Sequence, residues 1–311
     1  MKVVMTLVCS DEAAVVDAQI AFHLHAGVDL VVVDHGSPAG VADVLDAYAR
    51  EGYVHLSREP AAETLPVSER VTRMARAAAG LGADWVINSD IGEFWWPRGG
   101  TLKEVLSAIP KRYGIVRALP RCFVPRAEDG AFFADRLTLR LSTPALVGAA
   151  DATRSRLGIV CAADPDVTVD RDFALRESSL VPLRGWYPIE VFRLPARRRE
   201  EPIEDESALT KGLADGSRVV DTRLSDVLRA LRLPERLPRG FALPSAREPL
   251  LFPRPSVVDD AAYAVEVAAF AETDEVAMQR RLDAAERRIA SLELTVWVRA
   301  PRKLRSLIRR R

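Results

Sequence analysis

Residues 83–97 read ADWVINSDIGEFWWP. Trp85, Val86 and Ile87 make a short apolar run of the kind that forms a buried strand. Asn88, Ser89, Asp90 and Glu93 follow at once, so polar groups emerge at the strand's carboxyl end. Open α/β sheets bind their ligands outside that end. Two carboxylates there can hold a hard divalent cation, which in turn neutralises a diphosphate leaving group. The same residues also suit a solvated turn in which Glu93 caps a helix. Trp95 and Trp96 have two readings as well. One is stacking on a pyranose face, with one of the pair facing a cleft; the other is packing in the core or at its rim.

Upstream of this stretch, short apolar runs alternate with helical patterns. Val3–Val8, Leu30–Val33 and Tyr53–Leu56 read as strands. Ala13–Ala26, Val41–Arg50 and Pro66–Leu81 read as helices, with Val16, Ile20 and Leu24 on one face of the first. Continuous apolar strands separated by helices imply a mainly parallel sheet covered on both faces, joined by right-handed crossovers. Downstream, Thr101–Ile109 reads as a helix stopped by Pro110 and Ile115–Leu119 as a further strand. Residues 120–195 read as shorter strands and loops.

Two more strand ends carry polar groups. Asp34-His35-Gly36-Ser37 follows the second strand. An acid there can accept hydrogen bonds from a base or ribose, and Gly36 and Ser37 permit a tight turn into the next helix; an ordinary turn and N-cap has the same composition. Ser10-Asp11-Glu12 follows the first strand and, by itself, is a helix start, with Ser10 as N-cap and acids in the first turn. Taken together, strand ends one, two and four put acids or small polar residues on one edge of one sheet.

Composition excludes several classes. Hydrophobic residues make up 48% and charged residues 28%, the mix of a soluble globular protein. No apolar run approaches the roughly 20 residues of a membrane-spanning helix. The N-terminus does not read as a signal peptide, because Asp11 and Glu12 follow a short apolar stretch. Three widely spaced cysteines, Cys9, Cys122 and Cys161, suggest buried free thiols in a reducing compartment. Neither the P-loop nor the GxGxxG signature is present, and no nucleic-acid motif stands out. The expected location is the cytoplasm, or the inner face of its membrane.

The C-terminal region has a different character. Residues 236–272 read as a loop-rich linker after a compact domain over 1–235. In 273–311, Met278, Leu282, Ala285, Ile289, Leu292 and Val296 form an a/d seam. It would serve either a helix packed on its own domain or a homo-oligomeric coiled coil through 278–296. The last 13 positions hold seven basic residues, whereas residues 1–293 carry 37 basic and 44 acidic side chains, a net of −7. A basic end on an acidic body suggests an anionic membrane surface as partner for 297–311.

The region 1–125 resembles bacterial family 2 glycosyltransferases, in particular the subgroup whose fourth strand runs into DADEF. TLVCSDE, VVVDHGSPAG and RVTRMARAAAGLGADWVINSDIGEFWWP carry the resemblance. It implies a GT-A fold, Rossmann-like, that binds a nucleoside-diphosphate sugar and transfers the sugar to a hydroxyl of a glycan or other acceptor. Glu12, Asp34 and Ser37 would lie near the nucleotide, with Trp95 beside the sugar. Asp90 would face the ribose or a Mn or Mg ion, and Glu93 the far side of the sugar. Glu93 is one candidate for the base that deprotonates the acceptor, and Asp172, among Asp164, Asp166, Asp170 and Asp172 of the second half, where the family builds its acceptor side, is another. Departures are plain. DADEF is DIGEF here, with Gly92 in place of the central acid, and His35 and Ala39 replace an asparagine and an acid of the nucleoside turn. No histidine follows His55, and VFRLPARRRE puts Phe192 or Arg193 where a histidine is expected. These departures imply weak or absent metal binding, with arginines such as Arg193 or Arg197 neutralising the diphosphate, or else a degenerate relative that binds nucleotide or acts as a scaffold.

Overall fold

The computed structural model describes residues 1–9, 13–34, 39–57, 65–124, 132–148, 157–170, 173–176, 178–184, 186–194, 203–231, 252 and 263–270. The chain divides into two units, Met1–Tyr263 and Ala264–Arg311. In the second, residues 264–270 continue a helix that begins at 263; the seam 278–296 and the basic end lie outside the described residues.

The first unit is an α/β structure built as the sequence reading expects. Strands β1 (Val3–Val8), β2 (Leu30–Asp34), β3 (Val54–Ser57) and β4 (Trp85–Asp90) alternate with helices α1 (Ala13–His25), α2 (Ala39–Arg50) and α3 (Val67–Gly80). Then come β5 (Glu93–Pro97), α4 (Leu102–Ser107), β6 (Ile115–Cys122), β7 (Leu139–Leu141), α5 (Thr143–Val147) and β8 (Gly158–Ala162). β9 (Thr168–Val169), β10 (Leu175–Arg176), β11 (Ile189–Arg193), α6 (Glu206–Ala214), β12 (Arg218–Val220) and α7 (Arg223–Ala230) complete it. Eight strands form one sheet in the order β3-β2-β1-β4-β8-β6-β11-β5. Only β8 and β5 run against the others, so the sheet is mainly parallel. β9–β10 and β7–β12 are small two-stranded ribbons.

The pleat explains why the first strands are apolar throughout. Val3, Met5, Leu7, Val31, Val33, Trp85 and Ile87 share a core with Val16, Ile20 and Phe22 of α1 and Leu45 and Tyr48 of α2. Val4, Val32 and Val86, the alternate residues, face Val71, Met74, Ala75 and Ala78 of α3. Period two in the strands meets i, i+3, i+4, i+7 in the helix, and both faces are dry. Two residues of the segment read as linker belong to this unit. Phe252 packs edge-on against Phe22 and Trp96, and the Tyr263 hydroxyl donates to the Tyr187 carbonyl at 2.5 Å.

EFWWP is neither a turn nor a helix cap. It forms β5, which pairs antiparallel with β11 at the sheet's far edge. Trp95 and Trp96 are 1% and 2% exposed, which corrects the expectation that Trp95 offers an open face for stacking on sugar. The physical reason is that β5 is a sheet strand packed on its neighbours. The Trp95 indole N–H donates to Ser89 Oγ at 3.0 Å, and its backbone N–H donates to His23 Nε2 at 3.0 Å. The ring lies against Gly158, where a Cβ would come within 2.8 Å of it.

A buried charge network secures the later strands. Glu190 of β11, wholly buried, accepts from Arg121 of β6 at 2.7 Å and from Arg223 of α7 at 2.6 Å. Arg223 also pairs with Asp221 at 2.7 Å, and Arg140 of β7 reaches Asp221 at 2.8 Å. Burial pushes the Glu190 carboxyl up, but the two guanidinium groups outweigh it and hold it below the ordinary carboxylate range.

Three outcomes follow from this packing. Gly158→Ala should overpack Trp95 and cost about 1–3 kcal/mol, read from urea unfolding at constant m. Glu190→Gln leaves the buried Arg121 and the half-buried Arg223 short of charge and should cost about 3 kcal/mol in the same measurement. His23 gives a pH signature. Burial lowers its pKa from 6.5 to about 3, against the opposing bond to the Gln19 carbonyl. The native state therefore binds fewer protons than the unfolded chain between those values. The His23 contribution is complete above pH 6.5 and is lost as pH falls, at up to about 1.4 kcal/mol per pH unit. His23→Gln should flatten the slope of unfolding free energy between pH 6.5 and 4.5.

Candidate functional site

The site is built from a row across three parallel strands. Val8 of β1 lies opposite Asp34 of β2 on one side and opposite Asp90 of β4 on the other. Adjacent strands are about 4.8 Å apart, so the two aspartates stand roughly 10 Å from one another at one sheet edge. Alternation puts both on the face covered by α3, above Thr6 and Asn88, whose side chains bond at 2.9 Å. Asp34 is buried, and its Oδ2 accepts from Arg70 Nε of α3. Nothing in the sequence singles out Arg70, because only the docking of α3 on β2 brings it to Asp34. Asp90 is exposed, and its Oδ1 accepts from the Ile91 N–H at 2.8 Å.

Three residues past Asp90 the chain enters β5 at Glu93. Arg193 ends β11 directly opposite Glu93 in register. Its Nε donates to Glu93 Oε1 at 2.9 Å, with the side chains 17% and 12% exposed. Glu93 Oε2 lies 3.4 Å from the Asp90 N–H, which donates to it. Burial raises the Glu93 pKa above its ordinary value, with Arg193 opposing. The connection is braced from the other sheet face by Gln19 of α1. Gln19 Nε2 donates to the carbonyls of Glu93 at 2.5 Å and Asp90 at 3.1 Å, and lies 3.3 Å from Ser89 Oγ. Periodicity marks α1 as a core helix, and nothing local distinguishes Gln19 as a brace.

Asn88, Glu93, Trp95 and Arg193 line a small open pocket together with Gly158, Ile159 and Phe173. Asn88 is 2% exposed, its amide held by Thr6 on one side and bordering the pocket. Phe173 has φ 60°, a strained backbone for a bulky side chain. The β9–β10 turn holds it there, with Phe173 N–H donating to the Asp170 carbonyl at 3.1 Å and Asp170 N–H to the Ala174 carbonyl at 2.8 Å. No sequence signal points to Phe173.

Of the sequence candidates, Asp34, Asp90 and Glu93 lie at this edge, while Glu12, Ser37 and Asp172 lie outside the described residues. Asp164 and Asp170 serve turns, accepting from the N–H of Asp166 and Ala174. None of the three cysteines forms a disulfide, and burial first, then Asp34, pushes the Cys9 thiol up to about 12, away from its thiolate form. The divalent cation that the resemblance implies does not fit the side chains present. Glu93 is engaged by Arg193, and among the described residues no three His, Cys, Asp or Glu side chains come together to hold an ion. Gly92 itself is not demanded by the backbone, since a Cβ there would meet Leu194 only at ordinary contact, 3.6 Å.

No family model matches the chain, and no curated protein matches it. Among solved structures it is similar to glucosyl-3-phosphoglycerate synthase from Mycobacterium tuberculosis in complex with phosphoglyceric acid, at 16% identity and a TM-score of 0.29, covering 52% of this chain and 57% of that one. The same synthase with Mg2+ and uridine-diphosphate matches at 16% identity and TM-score 0.30, over 52% and 56%. Mannose-1-phosphate geranyltransferase from Thermus thermophilus matches at 11% identity and TM-score 0.29, over 79% and 67%. The chain thus spans little more than half the length of the synthase, and a likeness at this level does not extend to ligands or chemistry.

Proposed function

We propose that this protein binds a nucleoside-diphosphate sugar at the β1–β2–β4 edge and transfers the sugar to a hydroxyl acceptor. What carries the reading is the row Asp34–Val8–Asp90, two carboxylates from separate strands at the carboxyl end of a parallel sheet. Asp34 and Arg70 together offer an acceptor and a fixed fork of donors, the equipment for the edge of a base or a ribose hydroxyl. Asp90 stands beside them for the ribose. Glu93, with its raised pKa, is the nearest carboxyl to act as base toward an acceptor.

A second reading has its own support. Arg193 holds Glu93, the candidate base, which favours a relative that keeps the ligand site without transfer. Residues 273–311 enter the proposal through their sequence alone: the seam from Met278 to Val296 for self-association, and the seven basic residues for an anionic membrane surface. No helix among the described residues is long and apolar enough to cross a membrane.

Calorimetry against UDP, GDP, CDP, ADP and dTDP, with their sugars, tests the binding. One of them should bind, and Asp34→Asn or Arg70→Ala should weaken it by about 1 kcal/mol or more. Silence across the panel would remove the reading, and binding without sugar release or transfer would select the second one. Truncation after Phe270 should lower the mass seen by light scattering or abolish sedimentation with anionic vesicles, while leaving nucleotide affinity as it was. If neither property changes, the C-terminal part of the proposal fails.

A further inference from the structure

Two carboxylates three residues apart ordinarily attract a cation, and the chain supplies one from 100 residues away. Arg193 is the last residue of β11, and the antiparallel register sets it directly across from Glu93, the first of β5. Its Nε–Oε1 bond of 2.9 Å is charge-assisted and largely shielded, with the two side chains 17% and 12% exposed. The other Glu93 oxygen is taken up by the Asp90 N–H at 3.4 Å. Asp90 is close enough for its charge to act on Glu93, where it opposes the Arg193 guanidinium. A metal ion bridging Asp90 and Glu93 would have to displace Arg193 from Oε1 and then sit beside its positive charge. Among the described residues it would find no third His, Cys, Asp or Glu ligand, and the sequence has Gly92 between the two acids and no histidine after His55.

We propose that the Arg193 guanidinium takes the place of a divalent cation at the Asp90/Glu93 carboxylates, so that wild-type protein binds no metal there. The nucleotide served by this edge rests on the function proposed above, whereas the exclusion of metal does not. Removing the guanidinium takes the counter-ion from Glu93 while the Asp90 charge stays close by, and the site then becomes one for a hard cation. A lysine in its place keeps the charge and keeps the ion out.

The test is Mn²⁺ titration followed by electron paramagnetic resonance of the free ion. It uses wild type, Arg193→Lys, Arg193→His and Arg193→Ala, each first shown to be folded by circular dichroism. Wild type and Arg193→Lys should show no saturable binding. Arg193→His and Arg193→Ala should gain a site at least about tenfold tighter than any in wild type, and adding Glu93→Gln to Arg193→His should abolish it. Saturable Mn²⁺ binding by wild type that Glu93→Gln removes would overturn the proposal. So would folded Arg193→His and Arg193→Ala proteins that gain nothing, or a gained site that survives Glu93→Gln. In parallel, the same nucleoside diphosphates are titrated into wild type in EDTA and in Mn²⁺. Equal affinity supports the proposal, and a requirement for Mn²⁺ overturns it. Absence of binding in both buffers overturns the function proposed above and leaves the Mn²⁺ result to decide the role of Arg193.

Discussion

The link Ile91–Gly92 sets the constraint on which the site depends. It joins β4 to β5, yet three other strands lie between these two in the sheet. The three Cα-to-Cα steps from Asp90 to Glu93 span at most about 11 Å, less than the roughly 19 Å of four flat strand spacings, so the sheet has to curl until its far edge returns to the end of β4. That return brings Glu93 to Asp90 and carries β11, with Arg193, to the same place. The curl is held by polar groups that have nowhere else to go. Ser89 and Gln19 are wholly buried and spend their bonds on the carbonyls of Asp90 and Glu93, while Trp95 is tied to Ser89 and His23. A buried polar group left unpaired costs on the order of 1–3 kcal/mol, so these bonds specify one geometry and not merely a stable one.

Among the described residues, four buried or half-buried carboxylates have arginine as their counter-ion. Asp34 has Arg70, Glu93 has Arg193, Glu190 has Arg121 and Arg223, and Asp221 has Arg140 and Arg223. A guanidinium presents several donors in a fixed plane and is less strongly hydrated than an ammonium group, which suits it to such positions. Arg121 and Arg223 use this directly, closing both oxygens of Glu190 between β6, β11 and the first turn of α7. The contrast between Glu93 and Glu190 follows from the number of partners. With one arginine, burial wins and the carboxyl is raised; with two, the charges win and it is lowered.

The sequence by itself determined the alternation of strand and helix through β6 and the edge at which polar groups gather. Those features come from short-range chemistry. β-branched runs such as Val3–Val8 and Leu30–Asp34 prefer the extended chain, helix α3 repeats its apolar residues with helical spacing, and Asp34 and Asp90 come immediately after apolar strands. The boundaries shifted by only a residue or two at most ends. Gly92 and the lack of late histidines were equally legible, since they are statements of composition.

Only the tertiary structure decided which groups meet. Trp95 read equally well as a sugar platform or as core, because its sequence neighbours do not say which strand β5 will join; pairing with β11 and the close approach of Gly158 buried it. Arg70 and Gln19 lie on helices whose periodicity says which face is apolar, not which carboxylate or carbonyl lies under it. Arg193 and Glu93 are 100 residues apart, and their pairing is fixed by the register of two antiparallel strands. A one-residue slip in that register would put the two side chains on opposite faces, and no local preference in either segment carries that information.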